Sequence, residues 1–152
     1  MQNANIKKIE IKNVKNLRVG IVQAQFNADI TDAILQDAES CLKKYGIKNN
    51  TDVFTVFGSV EIPTILKAMA DSKKYDLLIA IGAIIKGETD HYHFVAKLVC
   101  EGVLQVMLAN KIPIGFAVLT TANKELAQKR ISIGSEAVEA ALNNASLLKT
   151  IQ

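Results

Sequence analysis

Leu77-Leu-Ile-Ala-Ile-Gly-Ala-Ile-Ile-Lys-Gly-Glu-Thr-Asp-His91 is the stretch on which the fold turns. Its first five residues are all apolar. A strand with one wet face alternates apolar and polar side chains, whereas an unbroken apolar run predicts a strand buried on both faces, inside a parallel sheet. The chain then turns polar within a few residues, and a helical pattern resumes beyond His91.

The same alternation of strand and helix repeats outward in both directions. Leu17-Arg-Val-Gly-Ile-Val22 is a short run rich in β-branched residues and reads as a strand. Ile34, Leu35, Ala38, Cys41, Leu42 and Tyr45 recur at steps of three and four, one face of a helix that Gly46 can stop. Val53-Phe-Thr-Val-Phe57 is the next strand, ended by Gly58, and Ile62 to Ala70 is a short helix with Pro63 in its tolerated first turn. Val95, Leu98, Val99, Gly102 and Val106 form a helical stripe, and Pro113 opens the strand Ile114-Gly-Phe-Ala-Val-Leu119. A last helical segment runs from about Lys124 toward Leu148, interrupted near Ile131–Gly134. Strand and helix alternating four times predict an α/β fold, a four-stranded parallel sheet covered by helices on both faces. Ile9 and Ile11 alternate with Lys8, Glu10 and Lys12, so residues 1–16 are expected to form an edge strand or arm able to pair with a neighbouring subunit.

The 152 residues fit one domain, 1–152. An apolar share of 49% against 22% charged residues excludes a disordered chain. Two cysteines, Cys41 and Cys100, cannot form a disulfide framework. A net charge of +3 with scattered lysines offers no nucleic-acid stripe. The longest run without charge, Ile112 to Asn123, is too short to span a membrane, and the first ten residues carry no apolar core of a signal peptide. A soluble cytoplasmic protein is expected.

Ligands of open α/β sheets bind beyond the carboxyl ends of the strands. That rule selects Gln25-Phe-Asn27, Gly58-Ser-Val-Glu61, Ala83 to His91 and Thr120-Thr-Ala-Asn123. The third loop nearly matches the phosphate loop G-x-x-x-x-G-K-[ST], with Gly82, Gly87 and Thr89 in place. Glu88 occupies the Lys position, and a carboxylate there repels a nucleotide phosphate. A helix start can still hold a simpler anion, or Glu88 and Asp90 can serve as helix caps. His91 falls in the first turn of that helix, where the macrodipole favours neutral imidazole, the form a general base uses. The alternative is a solvated histidine at a helix start. His93 does not share its face, which argues against a metal pair. Glu61 can accept hydrogen bonds from polyol hydroxyls or act as a helix N-terminal acid. Phe26 can stack on a planar ring or anchor the core, Phe116 reads as core, and Arg130 is a phosphate partner or a solvated helix residue. Neither cysteine has an activating neighbour, and no G-x-G-x-x-G occurs.

Taken together these blocks resemble the 6,7-dimethyl-8-ribityllumazine synthase family. The resemblance runs from about Leu17 to the last helix. It rests on Val19-Gly-Ile-Val22 with Phe26-Asn27, on Gly58-Ser-Val-Glu-Ile-Pro63, on Ile81 to Tyr92, and on Phe116 with Leu119-Thr-Thr121. It implies a flavodoxin-like three-layer sandwich. It also implies the condensation of 5-amino-6-(D-ribitylamino)uracil with 3,4-dihydroxy-2-butanone 4-phosphate in riboflavin biosynthesis, with no metal or redox cofactor. By matching position, Phe26 would stack on the pyrimidine and Asn27 would line its pocket. Ser59, Val60 and Glu61 would flank the ring and hold the ribityl chain. The backbone at Ala83, Ile84 and Ile85 would meet the ring's polar edge, and Phe116 would close the pocket from an adjacent subunit. Glu88, Thr89 and Arg130 would hold the phosphate, and His91 would move the proton. The family pattern further implies a homopentamer or a multiple of it with sites between subunits, and riboflavin synthase as a partner. Phe57 stands where the family usually has Pro, Val60 where it has an aromatic, and Gln25 where Arg is frequent. Ile131-Ser-Ile-Gly-Ser-Glu-Ala137 lacks the usual Lys. Two other readings are an archaeal-type riboflavin synthase, which would act on lumazine alone, and a non-catalytic flavin- or lumazine-binding oligomer.

Overall fold

The apolar run lies in the middle of the sheet. In the computed structural model, which describes residues 7–152, it forms the start of β3 (Leu77–Ile85). β3 pairs on one side with β1 (Val19–Ala24) and on the other with β4 (Ile114–Thr121), and β2 (Thr51–Val56) lies outside β1. All three pairings are parallel, in the order β2-β1-β3-β4. Successive side chains of a strand point to opposite faces. Val19 and Ile21 of β1, Leu77, Ile79 and Ile81 of β3, and Ala117 and Leu119 of β4 therefore join one core, packed with α1 (Ala28–Lys44) and α5 (Ile133–Ile151). Val22, Leu78, Ala80 and Val118 join the other, packed with α2 (Ile62–Asp71) and α3 (His91–Asn110). Ile79 is wholly buried, and burying one such side chain is worth about 1.5–3 kcal/mol. This is the three-layer, flavodoxin-like arrangement expected from the sequence.

The helix boundaries have local causes. α1 stops where Gly46 takes φ 83°, a conformation that costs glycine little. The expected break in the last helical segment separates α4 (Lys124–Gln128) from α5. Here Gly134 approaches the Ile34 carbonyl of α1, where a Cβ would lie 2.5 Å from that oxygen. Asp37 of α1 accepts hydrogen bonds from the Ser135 N–H at 2.6 Å and the Ser135 hydroxyl at 2.7 Å. A carboxylate from another helix thus caps a backbone donor that the first turn of α5 leaves without an intrahelical partner.

Three expectations need correction. Leu98 is 57% exposed rather than buried with its stripe, because α3 presents Val99, Val103 and Val106 to the sheet. Phe116 lies on the edge strand β4 and is part-exposed rather than core. α3 is long and apolar enough to cross a membrane by length and composition, which a search for charge-free runs misses because Lys97 and Glu101 interrupt it. Of the expected N-terminal arm, residues 1–6 lie outside the described residues. Residues 7–16 form no strand within the chain, Ile11 packs against the core, and Ile9 is exposed.

Candidate active site

Three of the four selected loops converge. A cleft of about 490 Å³ opens above the carboxyl ends of β1, β2 and β3. Phe26 and Asn27 come from the end of β1, and Gly58, Ser59, Val60 and Glu61 from the end of β2. Ala83, Ile84, Ile85, Gly87, Thr89, His91, Tyr92 and Val95 come from β3 and the start of α3. The position follows from topology. From β1 the chain steps outward to β2 and then back across to β3, so the loops above β1 and β3 part and leave a crevice. β4 lies on the far side of β3, and its loop, Thr120–Asn123, does not line the cleft. That loop serves α4 instead: the Asn123 side chain accepts a hydrogen bond from the Leu126 N–H at 2.9 Å.

The β3 rim of the cleft is backbone. Pairing with β1 ends at Gln23–Ile81, while pairing with β4 continues to Ile85–Thr121. The Lys86 N–H donates to the Thr121 carbonyl at 3.0 Å, so residue 86 faces β4. Polar groups alternate along a strand, and Ala83 and Ile85 therefore face the side where β1 has ended. The Ala83 carbonyl accepts a bond from Asn27 Nδ2 at 2.9 Å, and Ile85 lines the cleft.

Glycine at position 82 is a matter of space rather than phosphate binding. Gly82 lies inside β3, paired with Val118, and a Cβ on it would lie 2.6 Å from Ser59 Oγ. The near-match to a phosphate loop therefore fails structurally, since its first glycine belongs to a strand. Ser59 starts a single 3-10 turn, Ser59–Glu61, and is itself buried. Glu61 Oε2 accepts the Gly58 N–H at 2.7 Å, so this acid caps the turn while also lining the cleft. The Phe26 N–H donates to the Phe57 carbonyl at 2.9 Å, and the Phe26 ring rests on Gly58 and is 69% exposed. An aromatic face left this open above a polar rim suits a planar ligand.

At the head of α3 the Thr89 hydroxyl accepts the His91 N–H at 3.4 Å. Capping falls to Thr89 rather than to Glu88 or Asp90, the two candidates from sequence; Asp90 is the N-cap residue without a side-chain cap bond. His91 and Val95 are four residues apart and share the helix face that borders the cleft. Tyr92 and Val95 line the cleft although neither was among the expected site residues, and that spacing was the signal available for Val95. His93 stands edge-on to Tyr92, ring centroids 5.1 Å apart, and is exposed. Among the described residues no cluster of His, Cys, Asp and Glu could hold a metal ion.

Phe26, Asn27, Ser59, Val60, Glu61, Ala83, Ile84, Ile85, Thr89 and His91 thus share one cleft. Glu88, Phe116 and Arg130 do not line it. Glu88 is exposed just beyond Gly87, Phe116 projects from β4, and Arg130 follows α4, its N–H donating to the Ala127 carbonyl at 2.9 Å. Glu61 is the one Asp, Glu, Lys or Arg side chain among the lining residues, so a phosphate would find no Lys or Arg on the cleft walls within this chain's described residues.

The family described as 6,7-dimethyl-8-ribityllumazine synthase matches residues 16–149 of the chain. Similar proteins with that name include one from Methylobacillus flagellatus, 40% identical over 149 residues, covering 96% of this chain and all of the relative. Another, from Limosilactobacillus reuteri, is 40% identical over 139 residues, covering 91% of this chain and 90% of the relative. A third, from Clostridium kluyveri, is 40% identical over 146 residues, covering 92% and 95%.

Proposed function

The chain belongs to the 6,7-dimethyl-8-ribityllumazine synthase family, and on that premise we propose how its cleft carries out the family's reaction. It is a transferase of riboflavin biosynthesis, condensing 5-amino-6-(D-ribitylamino)uracil with 3,4-dihydroxy-2-butanone 4-phosphate. The 5-amino group forms a C–N bond to the ketone carbon with loss of water, phosphate is eliminated, and the ribitylamino nitrogen closes the second ring onto the remaining carbonyl carbon with loss of a second water. Most of the acceleration comes from holding two substrates in register, with one group moving protons.

The pyrimidine lies against the Phe26 ring with its polar edge on the Ala83–Ile85 backbone, beside Asn27 and Val60. The ribityl chain runs toward Ser59 and Glu61, whose second carboxylate oxygen accepts its hydroxyls. The phosphate docks at the head of α3, on main-chain N–H groups near Glu88 and on the Thr89 hydroxyl. His91, one helical step away, transfers the proton. One observation supports this reading above the rest: side chains from three strand ends, separated by up to 65 positions between Phe26 and His91, line a single cleft at the switch point of the sheet.

The unit that works is an oligomer of this single domain. Family members assemble as oligomers, and a pentamer or a multiple of it is the form proposed here. Phe94, Leu98 and Leu108 are 57–67% exposed on the face of α3 turned away from Val99 and Val103. An apolar stripe of this kind suits contact with a second copy. Val53 and Phe54 on β2, and Phe57 just beyond its end, are exposed, where the N-terminal arm of a neighbour can pair. Phe116 and Arg130, absent from the walls of their own chain's cleft, then serve a neighbour's, and Arg130 supplies the missing cation. A soluble cytoplasmic enzyme handing its product to riboflavin synthase completes the proposal.

The test mixes the purified protein with both substrates and follows lumazine absorbance. A rate above the spontaneous reaction is expected, and none would reject the reading. Riboflavin formed from lumazine alone would point to a riboflavin synthase instead.

A further inference from the structure

Resting on the function proposed above, we infer that Asn27 is a positioning residue that sets the width of the slot between the Phe26 ring and the β3 rim. Asn27 occupies the N-cap position of α1, where an Asn side chain ordinarily bonds the first turn of its own helix. It makes no such bond: its side-chain nitrogen crosses 56 positions to the Ala83 carbonyl, 2.9 Å away. The carbonyl can only accept, so the amide must present its NH2 to it.

The backbone favours this reach. Asn27 lies in the left-handed region, φ 59° and ψ 49°, which Asn tolerates better than most residues. Its own carbonyl accepts the Ile30 and Thr31 N–H groups and starts α1. On the opposite side, Gln25 and Phe26 are tied to β2 through the Val56 and Phe57 carbonyls. The loop that carries the Phe26 ring is thus held to β2 by backbone and to β3 by one side chain. Loss of the Asn27 amide would leave the ring attached to β2 but free to move relative to Ala83–Ile85, the two walls that must grip a planar heterocycle together.

Asn27→Asp keeps the shape but sets a carboxylate against the Ala83 carbonyl. Asn27→Gly keeps the left-handed backbone and removes the bond, so it decides the matter should the Asp variant fail to fold. In both, KM for the ribitylaminouracil is expected to rise about tenfold, the worth of one net hydrogen bond. KM for the butanone phosphate should stay near wild type, and the melting temperature of Asn27→Gly should fall by no more than the few degrees that one hydrogen bond is worth. A purely structural role would lower melting temperature and active fraction without separating the two KM values. Unchanged KM for the ribitylaminouracil, or an equal rise for both substrates, would overturn the inference. An inactive wild-type protein would instead overturn the proposed function on which it rests.

Discussion

The Ser59 hydroxyl occupies the space into which a side chain on Gly82 would project, 2.6 Å from where its Cβ would lie. Ile62 and Val118 close the same space at 3.3 Å. Gly82→Ala must therefore push the Ser59 turn outward, and overpacking of this kind costs roughly 1–3 kcal/mol. Chemical denaturation should show that loss. Adding Ser59→Ala in the same chain should recover part of it, since the oxygen responsible is gone. A double-mutant cycle with no coupling between the two positions would show that the Ser59 contact is not what glycine is there to permit.

If His91 moves the proton, as proposed, His91→Ala should slow turnover about a hundredfold while leaving both KM values near wild type. Steady-state kinetics with each substrate varied in turn would separate this from a binding defect. A variant as fast as wild type would remove His91 from the chemistry.

The role proposed for Arg130 is in binding rather than in rate. Arg130→Ala should raise KM for the butanone phosphate and leave KM for the ribitylaminouracil nearly unchanged, because the guanidinium pairs with phosphate alone. An unchanged KM for the phosphate substrate would assign the anion to the backbone of the α3 head without a cationic partner.

Much of this was legible in the sequence because the governing patterns are local. The apolar run at Leu77–Ile81 announces a doubly buried strand, and the three-to-four spacing from Ile34 to Tyr45 announces α1; both lie where expected, although β3 runs on to Ile85 and α1 starts at Ala28. Phe26, Ser59, Glu61 and His91 share the cleft because each follows a strand of one sheet. What escaped depends on distance across the fold. Nothing near Gly82 in sequence indicates that Ser59 fills its space, and nothing near Asn27 points to Ala83. Leu98 follows the same spacing as the buried residues of α3, and only the placement of Val99 and Val103 against the sheet shows that it faces away. Phe116 reads as core because a mid-strand aromatic usually is; an edge strand with one incompletely covered face is the exception.

The loop of Phe26 also has a pH-sensitive tether. Asp29, in the first turn of α1, pairs with Lys124 at the head of α4 at 2.7 Å. That hydrogen bond, outweighing slight desolvation, holds the Asp29 carboxyl below its ordinary range. A carboxylate with a depressed folded value contributes stability above its unfolded range and loses it as pH falls through the folded value. The pair is solvent-exposed and its contribution is small and screened by salt. Wild type should therefore melt slightly above Lys124→Met at neutral pH in low salt, and the gap should close below about pH 4. A gap that persists at acid pH would mean that Lys124 stabilises by packing rather than by charge.

The outward face of α3 decides between an assembled enzyme and a lone chain. Phe94, Leu98 and Leu108 lie within one stripe opposite Val99 and Val103, interrupted by the Lys97–Glu101 pair. A stripe that is apolar and yet carries an ion pair suits a protein contact better than lipid, where each charge is costly. Leu98→Glu places a third charge at the centre of that contact and must be desolvated when two copies meet. Sedimentation should show the variant as smaller species under conditions where wild type remains assembled. Since Phe116 and Arg130 are proposed to come from a neighbour, turnover should fall with dissociation and recover as the variant is concentrated. A wild-type chain that sediments as a monomer at full activity would contradict both the interface and the shared site. The cation for the phosphate would then have to come from a residue outside the cleft walls of the same chain.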